Sequence, residues 1–168
     1  QEAADQGFAP AQCACGWHFE LGKGVKEDKE EARRLYLLSA EQDYAPAQCN
    51  LGFFYYRGIG VQEDNAQAVY WFSKAAEQEY PRAQFLLGEC YEYGYGVQRD
   101  IAKAVELYRI AAEKNVAAAQ SRLGFLYLRG EGLEQSNEQA FSWLSKGAEQ
   151  GNLLGLCVLG ECYEFGYG

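Results

Sequence analysis

The sequence predicts an all-α protein, an α/α solenoid wound as a right-handed superhelix from 36-residue helix-turn-helix repeats. Three observations carry this reading. Ala11, Ala47, Ala83 and Ala119 recur at a spacing of 36, continued by Gly155, and Gly16, Gly52, Gly88, Gly124 and Gly160 do the same. A Gly-x-Gly pair closes each first half-unit, at Gly22/Gly24, Gly58/Gly60, Gly94/Gly96, Gly130/Gly132 and Gly166/Gly168. A helix-capping residue opens each second half-unit, at Asp28, Asp64, Asp100 and Ser136. A fixed period without insertions marks a stacked array of one supersecondary unit.

Within the second unit, Ala47, Leu51, Gly52 and Tyr55 are spaced so that one helical face carries all four, which predicts a helix A ending at Gly58. Glycine reaches left-handed backbone cheaply and so suits that exit. Helix B follows the capping residue, with Glu31, Gln67 and Gln139 three positions after the cap in three units. This is a capping-box pattern, in which the third residue reaches back to the cap N–H. Lys103 stands there in the third unit, so its cap is predicted to be the weakest. Along helix B, Ala32/Tyr36/Ala40, Ala68/Phe72/Ala76, Ala104/Tyr108/Ala112 and Ala140/Leu144/Ala148 alternate small and large on one stripe. Gly52 and Ala68 remove volume where the two helices meet, and stacking on the next pair completes a core that one pair cannot close.

A chain of 168 residues with 48% hydrophobic and 15% aromatic content can fill an ordered core. Its net charge of -9 excludes a phosphate-tracking nucleic-acid binder and points to a basic partner. No apolar run reaches the roughly 18 residues a membrane span needs, so no membrane insertion by this segment is expected. The chain reads as a single repeat domain over 1–168, with units starting near 11, 47, 83, 119 and 155. It has no Met, opens on the tail of one unit and stops within another, and so reads as a fragment of about four and a half repeats. Equivalent cysteines of neighbouring repeats, such as Cys13 and Cys49, stand about 9–10 Å apart in a stack, beyond a disulfide. The six cysteines are therefore expected as unpaired thiols, mostly small core residues, which leans towards a reducing compartment while leaving localisation open.

Nothing in the sequence assembles a catalytic, cofactor or metal site. His18 is the only histidine, and the Gly-x-Gly pairs lack the third glycine and the Lys-Ser/Thr of a phosphate loop. A binding reading comes from what varies between repeats. On helix A the positions Cys13/Trp17/Glu20, Cys49/Phe53/Tyr56, Phe85/Glu89/Glu92, Ser121/Phe125/Leu128 and Cys157/Glu161/Glu164 form a stripe beside the core stripe. These residues could be additional core between stacked helices. Glu89 and Glu161 argue otherwise, because carboxylates are almost never fully buried without a partner. Trp17, Phe53, Tyr56, Phe85, Phe125 and Leu128 are thus expected to bind a partner, with Glu89 and Glu92 selecting it electrostatically.

The pattern Ala-x3-Leu-Gly-x2-Tyr-x2-Gly-x-Gly-Val-x2-Asp-x3-Ala-x3-(Tyr/Phe)-x3-Ala, complete from Ala47 to Ala76 and from Ala83 to Ala112, resembles the Sel-one-like repeat (SLR), a relative of the tetratricopeptide repeat. The first unit departs at Cys15 and Phe19, and the fourth at Leu133, Ser136 and Leu144. The resemblance implies a non-catalytic adaptor that holds other proteins together, with helix A lining the concave side so that the variable stripe faces a groove. The expected ligand is a protein or peptide segment with apolar and basic side chains. A toxin-neutralising or host-directed role is the alternative within binding. An enzymatic alternative is the cysteine-rich bacterial branch with weak β-lactam activity, whose helix pairs are stapled by disulfides. Ala40/Gln48, Ala76/Gln84 and Ala112/Gln120 occupy the columns where those cysteines are expected, and this departure stands against that branch.

Overall fold

A computed structural model describes residue 4 and residues 6–165. Their regular elements are helices: α1 (Ala9–Leu21), α2 (Lys29–Ala40), α3 (Ala45–Arg57), α4 (Asn65–Glu77), α5 (Pro81–Tyr93), α6 (Ile101–Glu113), α7 (Ala117–Arg129), α8 (Asn137–Glu149) and α9 (Leu153–Phe165). The odd-numbered helices are the A helices of the sequence pattern and the even-numbered ones the B helices. The Gly166/Gly168 pair lies outside the described residues. The chain divides into two compact units. One holds residues 1–83 with 95–97, the other 84–94 with 98–168. In each, A and B helices pack in antiparallel pairs around their own core.

The A helices end as the glycine pattern predicts, with Gly22, Gly58 and Gly130 left-handed at φ 64°, 62° and 65°. The second glycine of each pair carries a further constraint. A Cβ on Gly60 would lie 3.1 Å from the Lys29 carbonyl group, one on Gly96 2.2 Å from the Asn65 carbonyl oxygen, and one on Gly132 2.8 Å from Ile101. Each of these loops rests on the first turn of the preceding repeat's B helix, which sets the register of the stack.

Every B helix is capped by the residue expected: Asp28, Asp64, Asp100 and Ser136 accept from the N–H of Glu31, Gln67, Lys103 and Gln139 at 2.9, 2.9, 3.1 and 3.3 Å. The reciprocal half of the capping box is replaced. The cap N–H groups of Asp28, Asp64, Asp100 and Ser136 donate to the carbonyls of Phe19, Tyr55, Tyr91 and Tyr127 on the A helices, at 2.9–3.0 Å. Glu31 instead binds Arg34. The cap N–H is thus satisfied by the A helix in every unit, and the Asp100 cap bond, at 3.1 Å, is longer than those of Asp28 and Asp64. The longest cap bond belongs to Ser136.

The small columns do what their volumes suggest. A Cβ on Gly52 would fall 2.7 Å from the Phe72 ring, and one on Gly88 2.7 Å from Tyr108. Ala32, Ala68, Ala104 and Ala140 are completely buried, as are Tyr36, Phe72, Tyr108 and Leu144. All six cysteines are free; Cys13, Cys49, Cys90 and Cys162 are buried, Cys15 is partly buried and Cys157 is exposed. Burial pushes the Cys13 thiol up to about 11 and those of Cys49 and Cys90 up to about 12, which disfavours the thiolate at neutral pH.

The B-to-A turns are held by glutamines. Gln48 Nε2 donates to the Ala40 carbonyl at 3.2 Å and to Asp43 Oδ1 at 3.3 Å, while its oxygen accepts from Gln78 Nε2 at 2.8 Å. Gln120 repeats the arrangement with Ala112, Asn115 and Gln150 at 3.1, 3.1 and 2.7 Å. Asp43 and Asn115 sit in left-handed backbone at φ 58° and 65°, a conformation uncommon outside glycine. The Ala40 and Ala112 carbonyls also accept from the N–H groups of Asp43 and Asn115 at 3.1 and 3.0 Å, so each glutamine adds a second donor to a helix end that the turn already engages.

Candidate functional site

The variable stripe of the A helices is graded in depth. Its innermost column is mostly covered: Cys13, Cys49 and Ser121 are buried, Phe85, half-buried, lays its ring 5.6 Å from Tyr108, and Cys157 is exposed. The middle column is partly open. Trp17 is 41% exposed, while Phe53, Glu89 and Phe125 are half-buried. The two readings of these aromatics thus describe two sides of the same rings. Phe125 and Leu128 pack against the cluster around Leu144 with one side and face outward with the other.

The outermost column holds the largest departure from expectation. Glu92 is only 5% exposed and does not offer a free carboxylate to a partner. It accepts from the Tyr108 hydroxyl at 2.7 Å and from Arg122 Nε at 2.8 Å, with a second short contact to the Arg122 guanidinium. Burial opposes the charge of Arg122, yet the Glu92 bonds hold its pKa raised. Glu20 plays the same part in the first unit, accepting from the Tyr36 hydroxyl at 2.5 Å. The columns co-vary along the chain: Glu20 with Tyr36, Tyr56 with Phe72, Glu92 with Tyr108, Leu128 with Leu144. A buried tyrosine hydroxyl needs an acceptor, and the glutamate appears where the tyrosine does. The signal for that pairing in the sequence is two columns 16 residues apart that change together, and neither column carries it alone.

Glu89, by contrast, is half-buried and has no salt bridge to Arg122. Burial raises its carboxyl pKa, with Arg122 opposing the shift and Glu92 adding to it. Tyr56 connects the stripe to its surroundings, its ring 6.4 Å from Phe53, 6.5 Å from Phe72 and 5.8 Å from Tyr95.

Several ring faces already carry a cation. Lys23 Nζ lies 4.2 Å from the Trp17 ring centroid and Arg82 lies 5.6 Å from that of Phe53. Phe125 has Arg122 and Arg129 at 5.3 and 5.2 Å. In the first unit, Trp17, Glu20, Asn50, Phe53, Phe54 and Arg82 line one cleft of about 140 Å³, which brings the two strongest aromatic candidates together. His18 is exposed, its Nδ1 2.8 Å from the Lys23 carbonyl. Among the described residues no group of three His, Cys, Asp or Glu could hold a metal, and no helix is long and apolar enough to cross a membrane.

Repeated helix pairs in fixed register, with a constant core and a variable A-helix face, define an all-α solenoid repeat protein. The Sel1 repeat model matches four consecutive segments, 9–44, 45–80, 81–116 and 117–152, and the chain belongs to the Sel1 repeat family. It is similar over 98% of its length to the SLR-fold protective antigen of uropathogenic Escherichia coli, at 38% identity and a TM-score of 0.89, covering 35% of that protein. A Sel1 repeat protein from Oxalobacter formigenes is 35% identical with a TM-score of 0.91, covering 98% of this chain and 65% of that one. The chain thus spans about a third of the first and just under two thirds of the second. Cysteine-rich protein B of Helicobacter pylori is 25% identical with a TM-score of 0.60, covering 82% of this chain and 98% of that protein. A search of curated proteins finds no match. Sel1 repeat proteins are generally non-catalytic scaffolds for protein interaction.

Proposed function

We propose that this chain is a non-catalytic adaptor whose A helices dock a segment of a partner protein along their variable face. The observation that carries the reading is the middle column of that face, where Trp17, Phe53 and Phe125 are each partly exposed. Partly exposed aromatics are efficient interface anchors, since they offer a large contact area and have few side-chain torsions to lose on binding. Tyr56, Phe85 and Leu128 extend the apolar contact, and Glu89 supplies a carboxylate for a basic side chain in the second unit. The partner is a protein or peptide with apolar anchors.

Affinity capture from the source cell's lysate tests this reading. The chain is compared with a Trp17→Ser/Phe53→Ser form shown by circular dichroism to be folded. A partner retained by the parent chain and lost by the variant is the expected result. Equal recovery by both would move the interface away from the A helices.

A further inference from the structure

We infer that the cleft between α1 and α3 recognises a carboxylate lying beside an apolar side chain in the partner, with Arg82 as its counter-ion; this rests on the docking reading above and specifies its chemistry in the first unit. The composition of the chain points the other way, since a net charge of -9 suggests a basic partner. The local groups decide otherwise. Trp17 and Phe53 form apolar walls, but Lys23 covers the Trp17 face at 4.2 Å and Arg82 covers the Phe53 face at 5.6 Å. A basic side chain entering the cleft would meet two cations in the places where aromatic rings usually attract one.

Arg82 is available to an anion. It forms no ion pair among the described residues. Its one hydrogen bond runs from Nη1 to the neutral Asn50 Oδ1 at 3.3 Å, leaving most of a five-donor guanidinium unused. Asn50 in turn places its Nδ2 3.8 Å from the Cys13 sulfur, which directs its Oδ1 towards Arg82. The contrast with the second unit is direct, because Arg122 lies against Phe125 in the same way but is already neutralised by Glu92. Glu20 is the one carboxylate lining the cleft. It is bound through Oε2 by the Tyr36 hydroxyl at 2.5 Å and makes no ion pair with Arg82. Its second oxygen can accept a backbone N–H of the incoming segment. A cavity of about 140 Å³ has room for one side chain and its terminal group.

The test is nitrogen-15 NMR on the chain, following the Trp17 indole N–H and the Asn50 side-chain amide. Three probes are titrated: N-acetyl-leucine, its neutral amide, and N-acetyl-lysinamide. The acid is expected to shift both resonances saturably and to bind roughly fivefold tighter than the amide, the size of effect a partly exposed charge-assisted pair gives. Arg82→Gln is expected to abolish the difference between acid and amide, and Arg82→Lys to restore part of it. Equal binding of acid and amide, tighter binding of the lysine probe, or no shift with any probe would each overturn the inference. Capture that still depends on Trp17 and Phe53 would then leave the docking reading standing.

Discussion

Glu92 and Glu89 are three residues apart on one helix, yet their surroundings give them opposite roles. Glu92 is buried with three hydrogen bonds from Tyr108 and Arg122, and removing it would strand a guanidinium that is itself largely covered. Glu92→Ala is expected to lower unfolding stability by about 3–5 kcal/mol in denaturant titrations, the cost of breaking one side of a buried pair. Glu89 has a raised carboxyl pKa, so the folded chain holds that proton more tightly than the unfolded chain does. The resulting penalty is full above the folded pKa and vanishes as pH falls below the ordinary carboxylate value. Glu89→Gln should therefore gain stability relative to the parent chain at neutral pH, and the gain should fade in acid; melting curves across that range measure it. Sequence spacing placed both glutamates on one stripe correctly. It could not separate them, because Arg122 comes from the next A helix, 30 positions away.

At the scale of the element, the caps and turns were only half legible. The cap residues follow from local chemistry, since an Asp or Ser ahead of an amphipathic run has few other uses. The fate of the cap N–H depended on a carbonyl nine residues earlier, on the facing helix, which no local pattern contains. Asp64→Ala should accordingly cost about 0.5–2 kcal/mol while Gln67→Ala costs a few tenths at most, a contrast that thermal unfolding can resolve. The glutamine column is a second such case. In the sequence its residues stand out only as replacements for cysteine, whereas in the fold Gln48 and Gln120 each tie a helix end, a left-handed turn residue and the next glutamine together. Gln84 is the exception, because its buried Oε1 has no hydrogen-bond partner. Gln48→Leu should lose about 1–3 kcal/mol, whereas Gln84→Leu should be nearly neutral, as expected when the amide removed makes no compensating bond.

Across the whole molecule, the period of 36 made the architecture readable, because every repeat restates the same packing problem. One column shows how closely: a Cβ at Gly52 would meet the Phe72 ring at 2.7 Å, and one at Gly88 the Tyr108 ring at 2.7 Å. Gly52→Ala is expected to cost about 1–3 kcal/mol by overpacking. Chemical denaturation of the variant against the parent chain measures it. Which faces stay open for a partner was the least legible property. Burial of Cys13, Cys49, Ser121 and Glu92 arises from contacts between helices, which leaves the middle column and the half-buried Tyr56, Phe85 and Leu128 beside it for binding. The central claim is that a partner docks on that surface. Hydrogen–deuterium exchange of the chain with and without its captured partner tests it most directly. The account predicts added protection on α1, α3, α5 and α7 around Trp17, Phe53, Glu89 and Phe125, with α2, α4, α6 and α8 unchanged. Protection confined to those B helices would contradict it.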